Sequence, residues 1–164
     1  KNPFRLIKNQ ISGYLTAIGT QSSAATIPVN IQCGLKNGTS KEIVNFVVPL
    51  CATIHLSGSM ITITSCVMGV LIMSGMNYSL TTILPFIAML GIAMVAAPGA
   101  PGGAIMSALP CLYMINIDSN GPLGALLIAL YLTQDSFGTA INVSGDNAIA
   151  IYVDEFYKKF IKNN

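Results

Sequence analysis

Long apolar stretches that are interrupted near their centres constrain this chain more than any other feature. Asp, Glu, Lys and Arg are absent from positions 9–35 and from positions 43–117. Only 9% of the residues are charged and 52% are hydrophobic, whereas a soluble domain has roughly 25% charged residues. So few charges cannot cover the surface of a soluble chain. We therefore expect an all-α protein that is surrounded mainly by lipid or by other apolar protein.

The first apolar block, residues 9–35, has Ser, Gln and Pro at its centre, between positions 20 and 28. One spanning helix needs about 20 residues, and two need about 40. Basic residues lie on both flanks of the block, and basic flanks favour the cytoplasm. The block therefore predicts a re-entrant hairpin over residues 1–37, with its tip at Ser22 and Ser23.

The next two blocks are also interrupted. Residues 43–76 carry Thr, His, Ser and Gly around His55, which predicts a helix that is broken beside a cavity. Residues 80–114 contain two prolines and three glycines between positions 96 and 103, and these end any helix. Because no Lys or Arg flanks this block, it predicts a second hairpin, inserted from the extracellular face.

The last block predicts a polar C-terminal membrane helix over residues 122–160, which returns to the cytoplasm at Lys158 and Lys159. The order is hairpin, broken helix, hairpin and helix, with the second pair inverted relative to the first. All eight basic residues then lie on the cytoplasmic side. Inverted repeats with interrupted helices are typical of secondary transporters, so we expect a multi-pass protein of the plasma or inner membrane with both ends of this segment cytoplasmic.

Four polar residues form a stripe on the last helix: Asp135, Thr139, Asn142 and Asp146. Their spacing of 4, 3 and 4 places them within an arc of roughly 60°. An ionisable residue inside a membrane is a functional-site hypothesis by default, although such groups also hold helices together. Since no Lys or Arg of the chain can pair with them at that depth, the stripe predicts an external cation: sodium, or the ammonium group of an amino acid.

Several other functions are excluded by composition. The basic residues form no stripe interleaved with aromatics, so we expect no nucleic acid partner. The cysteines lie in apolar runs without metal-ligand spacing, so we expect neither a zinc site nor a disulfide. With a single histidine, we expect no set of nucleophile, base and orienting group, and so no enzyme and no cofactor. His55 itself is either a buried hydrogen-bonding residue or part of a proton or cation site.

Four motifs resemble the dicarboxylate/amino acid:cation symporter family, whose fold is glutamate-transporter-like. They are residues 20–29 at the first hairpin tip, 49–59 in the broken helix, 99–103 at the second tip, and 135–146 in the last helix. The resemblance covers nearly all 164 residues and corresponds to the C-terminal half of a family member. Locally it is most similar to the serine/threonine symporter branch.

The resemblance implies that residues 1–164 are the transport domain of a longer protein, and the start at Lys1 rather than Met agrees with a fragment. It implies an elevator motion against an absent N-terminal scaffold, in a homotrimer. It implies that substrate is bound by Ser22, Ser23, Ser59, Ala100, Pro101, Gly102, Asp135, Gly138, Thr139 and Asn142. It implies that sodium is bound by Cys51, Thr53, His55, Leu56, Asn142 and Asp146.

Within that resemblance, Asp135 would bind the substrate ammonium, and Ser22 and Ser23 its carboxylate. Three positions depart from the family pattern. Gly138 stands where carriers of acidic amino acids have Arg, and His55 stands for the usual Asn. Ser57 stands for the usual Asp, so a third sodium site is not expected.

The leading hypothesis is uptake of a small neutral amino acid coupled to sodium, with a proton as the alternative coupling ion. The alternative within transporters is a symporter of dicarboxylates or acidic amino acids. The alternative of another class is a membrane scaffold or channel-like subunit that transports nothing.

Overall fold

Helices account for nearly all of residues 2–162, the part of the chain that this computed structural model describes. No strand occurs among those residues, which confirms the all-α prediction. The α-helices are α1 (Pro3–Thr20), α2 (Ser23–Lys36), α3 (Lys41–Ile54), α4 (Ser57–Met73), α5 (Leu80–Val95), α6 (Gly103–Ala108) and α7 (Pro122–Tyr157). A 3-10 helix, Leu109–Ile115, follows α6, and a π-helical turn, Lys158–Lys162, follows α7.

Helices α1 and α2 form a tight hairpin. Gln21 adopts a left-handed conformation with φ 51° and donates its backbone N–H to the Ala17 carbonyl, which ends α1. The Ser22 hydroxyl then accepts the Ala25 N–H and caps α2. Farther from the tip, the Gln10 side chain donates to the Asn30 side chain at 2.7 Å. The two arms are therefore antiparallel and joined through buried amides.

Helices α3 and α4 continue one another across a break at His55 and Leu56. Both residues have non-helical backbone angles. By length and composition, Lys41–Met73 is the one helical stretch among the described residues that could cross a membrane, and 39% of its most apolar window is buried within the chain. Two shorter apolar helical segments, Leu80–Val95 and Gly103–Ile115, follow it.

The second hairpin has unequal arms. Its first arm is α5, and its second arm starts as α6 but becomes a 3-10 helix at Leu109. Pro110 lies at the start of that 3-10 segment, and a proline removes the backbone donor that an α-helix would need there. The tip between the arms, residues 96–102, contains Gly102 with φ 72°.

Helix α7 is the element against which the others assemble, since it packs on α1, α2, α3 and α4. It approaches α4 closely where Gly58 and Gly138 meet, since a Cβ on Gly58 would overlap the Gly138 carbonyl. The main apolar core lies between α4, the second hairpin and the first half of α7, around Leu90, Leu112 and Tyr131. The polar stripe of α7 therefore lies inside the chain.

Candidate functional site

The tips of the two hairpins are in direct contact. The Ser22 hydroxyl donates to the Gly99 carbonyl at 2.7 Å, and the Ala24 backbone N–H donates to the same oxygen at 3.1 Å. Gly99 also lies against the end of α3, because a Cβ there would sit 2.5 Å from the Ala52 carbonyl oxygen. Three interrupted segments thus meet beside the polar stripe of α7.

A small cavity lies at this meeting point, with a volume of about 10 Å³. That is room for about one water molecule, so the second hairpin tip closes the site against anything larger. Its lining residues are Gln21, Ser23, Leu56, Ser59, Pro98, Gly99, Ala100, Ala104, Asp135, Thr139 and Asn142.

Most of the predicted substrate residues lie at this cavity, and four do not line it. Ser22, Pro101 and Gly102 belong to the hairpin tips that close it. Gly138 is directed toward α4 instead, where a Cβ would lie 3.0 Å from the Thr62 hydroxyl. The space beside Gly138 is therefore filled by α4 and adds no room to the cavity.

Asp135 is the charged group of the cavity and is only 3% exposed. Its Oδ2 accepts the Gly102 backbone N–H from the second hairpin tip at 2.8 Å. Its Oδ1 accepts the Tyr131 hydroxyl at 2.7 Å and the Thr139 hydroxyl at 3.3 Å. All three donors are neutral, and no Lys or Arg among the described residues forms an ion pair with this carboxylate. The site therefore presents a buried negative charge without an internal cation.

Gln21 was not among the predicted site residues, although it lines the cavity. Its side-chain Nε2 donates to the Ser136 hydroxyl at 2.9 Å and so ties the first hairpin tip to α7. The sequence signal was its place beside Ser22 in the tip. Its left-handed backbone turns the chain there, and no sequence pattern showed which way its side chain would then be directed.

The side chain of Asn142 forms its hydrogen bonds with residues of α4. Its Oδ1 accepts the Gly58 N–H at 2.7 Å and the Ser59 N–H at 3.4 Å, so it satisfies the free donors at the start of that helix. Its Nδ2 donates to the Ser59 hydroxyl at 2.9 Å. The amide oxygen is thus used to cap α4, although Asn142 and Asp146 were both predicted to bind sodium.

Asp146, only 1% exposed, meets the histidine of the broken helix. His55 Nδ1 lies 2.9 Å from Asp146 Oδ1, and His55 Nε2 lies 3.0 Å from the Ser57 hydroxyl. Ser57, His55 and Asp146 therefore form the hydrogen-bonded order of nucleophile, base and orienting group that one histidine was expected not to provide. Only the expected absence of such a set is wrong, because the break in the helix lets residues two apart in sequence hydrogen-bond, while α7 supplies the carboxylate.

The remaining predicted sodium ligands, Cys51, Thr53 and Leu56, lie at the end of α3 and in the break that follows it. Cys51 is buried, and the Thr53 hydroxyl is used locally as a donor to the Leu50 carbonyl at 3.0 Å. The last carbonyl groups of a helix lack partners within it and carry the negative end of its dipole. Among the described residues, no cluster of three His, Cys, Asp or Glu side chains could hold a metal ion.

Known proteins are similar to this chain in sequence. The profile of the sodium:dicarboxylate symporter family matches residues 1–156. The serine/threonine transporter SstT of Acinetobacter baylyi is 30% identical over 161 residues, which are 96% of this chain and 40% of that protein. The neutral amino acid transporter B(0) of Rattus norvegicus is 31% identical over 149 residues, which are 89% of this chain and 26% of that protein. The excitatory amino acid transporter 3 of Mus musculus is 29% identical over 160 residues, which are 97% of this chain and 30% of that protein.

The chain thus spans 40% or less of the length of each of these relatives. The family match extends over both hairpins, the broken helix and nearly all of α7. The matched proteins are membrane transporters rather than enzymes, so the Ser57–His55–Asp146 order gives no ground for assigning catalysis. The chain belongs to the sodium:dicarboxylate symporter family.

Proposed function

We propose that this chain is the substrate- and cation-binding part of a sodium-coupled symporter for a small neutral amino acid. The observation that carries the proposal is the buried carboxylate of Asp135, which faces a cavity closed by two hairpin tips and has only neutral donors around it. A buried charge of this kind calls for a cationic partner, and the ammonium group of an amino acid supplies one.

The lining of the cavity favours a neutral side chain on the substrate. A second carboxylate would need a cation or several donors to offset its desolvation, and Arg is the side chain best suited to this. The lining contains neither Arg nor Lys. Gln21 and the hydroxyls of Ser23 and Ser59 are neutral donors that suit the single carboxylate common to all amino acids.

The end of α3 supports sodium coupling. Interrupted helices in transporters bind sodium through unwound backbone carbonyls and half-helix C-termini. The Ala52 carbonyl lies against Gly99 of the second hairpin tip, so an ion held by neighbouring carbonyls, such as those of Thr53 and Leu56, would be covered when the tip closes. Sodium would thereby favour the closed tip, which couples ion binding to substrate retention.

The whole transporter extends beyond this chain in the proposal. The relatives are more than twice as long, and the missing part would supply the scaffold against which this domain moves as an elevator, in a homotrimer. Apolar side chains such as Phe4, Leu15 and Ile92 are exposed on the outer faces of the helices. In the proposal these faces contact lipid or the scaffold in the plasma or inner membrane.

Competition for binding tests this function. The full-length protein in liposomes is incubated with radiolabelled serine in sodium chloride or, as the control, in choline chloride of equal ionic strength. Bound serine, its uptake and its displacement by unlabelled compounds are then measured. We expect serine to bind only with sodium, and threonine or alanine to displace it at lower concentration than aspartate or succinate. Tighter displacement by aspartate or succinate would support the symporter of acidic substrates instead, and absence of any uptake would support a scaffold.

A further inference from the structure

The contact between Asp146 and His55 bears on how many sodium ions the transporter carries. The inference rests on the sodium-coupled function proposed above, and it concerns one cation position within it. Asp146 was expected to hold a sodium ion with Asn142 and a residue of the broken helix. In the structure its Oδ1 faces an imidazole nitrogen at 2.9 Å.

The imidazole ring of His55 is held by close packing and by hydrogen bonds. It lies against Gly145 of α7, where a Cβ would overlap the ring carbon Cε1. Both ring nitrogens have partners, Nδ1 on Asp146 and Nε2 on the Ser57 hydroxyl. His55 is also the C-cap residue that directly follows α3, so its backbone is fixed between two packed helices. The surface of α7 at Gly145 and the two hydrogen bonds therefore fix both the position and the orientation of the ring.

The side-chain oxygen that Asn142 would offer to a sodium ion at Asp146 is used elsewhere. Hard cations such as sodium are bound by carboxylate, carbonyl and hydroxyl oxygens. The Asn142 Oδ1 instead caps α4 through the Gly58 N–H at 2.7 Å. This carboxylate oxygen therefore faces an imidazole nitrogen where an oxygen-rich site would place the ion.

We propose that His55 takes the place of a sodium ion at Asp146. The Ser57–His55–Asp146 chain supplies Oδ1 of this carboxylate with a partner from within the protein, and the carboxylate binds no sodium. Sodium coupling then runs through the carbonyl groups at the end of α3. An asparagine at position 55 would return an amide oxygen to the site and remove the ring, so the variant His55→Asn should gain one sodium ion per substrate.

The number of sodium ions is measured from serine binding by the full-length protein at varied sodium chloride and constant ionic strength. The slope of log Kd against log sodium concentration reports the ions bound with serine. We expect the slope of His55→Asn to exceed that of the unmodified protein by about one. The double variant His55→Asn/Asp146→Asn should lose this gain. An unchanged or smaller slope in His55→Asn overturns the proposal.

A spectroscopic measurement decides the same question without serine. This chain has one histidine, and the protein is prepared with ¹⁵N-labelled histidine. The imidazole resonance of His55 is the one that disappears in the variant His55→Asn. If that variant folds poorly, His55→Gln gives the same assignment. We expect that resonance to stay in place when sodium is raised to saturation, with potassium as the control salt. A sodium-specific shift would mean that the ion displaces the ring, and would overturn the proposal. If the unmodified protein shows no sodium-dependent serine binding, the proposed function fails, while the resonance still decides whether sodium reaches Asp146.

Discussion

Asp135 combines two tasks in one side chain. It faces the cavity where a substrate ammonium would bind, and it accepts the Gly102 N–H of the second hairpin tip at 2.8 Å. The tip that closes the cavity is therefore held by the same carboxylate that would bind the substrate. An ammonium group that approaches Asp135 meets this backbone donor on one oxygen and the Tyr131 hydroxyl on the other, so substrate entry requires the tip to move.

We predict that Asp135→Asn weakens serine binding by about 10- to 100-fold, because hydrogen bonds to charged groups contribute about 1.5–3 kcal/mol. The asparagine can still accept the Gly102 N–H, so folding should be preserved. Equilibrium binding of labelled serine measures the loss. The control is Asp118→Asn, which removes an exposed carboxylate that only accepts the Asn120 N–H. Equal effects of the two substitutions would contradict the role of Asp135.

Gln21 offers a second test at the residue scale, because it lines the cavity from the first hairpin. An arginine there would bring a planar, bidentate cation to the substrate site. We predict that Gln21→Arg lowers the concentration of aspartate needed to displace serine by at least about 10-fold, the equivalent of about 1.4 kcal/mol. Gln32→Arg adds the same charge at an exposed position of α2 and should leave the ratio unchanged. If both variants alter it alike, the effect is one of net charge.

At the scale of elements, the closest approach between α4 and α7 depends on two glycines. A Cβ on Gly58 would overlap the Gly138 carbonyl, whereas a Cβ on Gly69, also in α4, would meet nothing within 4 Å. We predict that Gly58→Ala lowers the free energy of unfolding by about 1–3 kcal/mol, and with it the Tm, through overpacking. Gly69→Ala should be neutral or stabilise by up to about 1 kcal/mol, since Ala is the better helix former. Melting curves of the two variants in one detergent give the comparison, and a lower Tm for Gly69→Ala than for Gly58→Ala would contradict it.

The helical elements could be predicted from the sequence because residue types that disfavour a continuous membrane helix mark each interruption. Pro98 and the neighbouring glycines cannot continue a helix, and helix ends do fall beside Ser22, His55 and Pro98. The partners of the polar residues could not be predicted in the same way. Spacing places Asn142 and Asp146 on one face of α7, but their hydrogen bonds depend on the packing of α4 and on the His55 rotamer, which are set by contacts distant in sequence. The same limit explains why Gln21 was missed and why Gly138 was assigned to the substrate.

At the scale of the whole molecule, helix lengths and the distribution of charge define an axis. Helix α7 has 36 residues and is about 54 Å long at 1.5 Å per residue, which exceeds a hydrocarbon core of about 30 Å. Its C-terminal end carries Lys158, whose ammonium lies 2.5 Å from the buried Asp154 carboxylate. The turn between α2 and α3 carries Lys36 and Lys41, whereas the turns after α4 and before α7 carry no Lys or Arg. Basic residues favour the cytoplasmic side, so the two kinds of turn should lie on opposite sides of the membrane.

Single cysteines test this orientation in intact cells. The four native cysteines, at positions 33, 51, 66 and 111, are first replaced by Ser or Ala, and Cys is then placed at exposed positions. We predict that a membrane-impermeant maleimide labels Asn77→Cys and Asn120→Cys in intact cells, and that it labels Lys36→Cys and Lys159→Cys only after permeabilisation. Each lysine variant removes just one of eight basic residues, so the charge difference that sets orientation remains. Labelling of Lys36→Cys in intact cells would place the end of α2 outside and contradict the orientation. Labelling of Asn77→Cys only after permeabilisation would mean that α3 and α4 do not together cross the membrane.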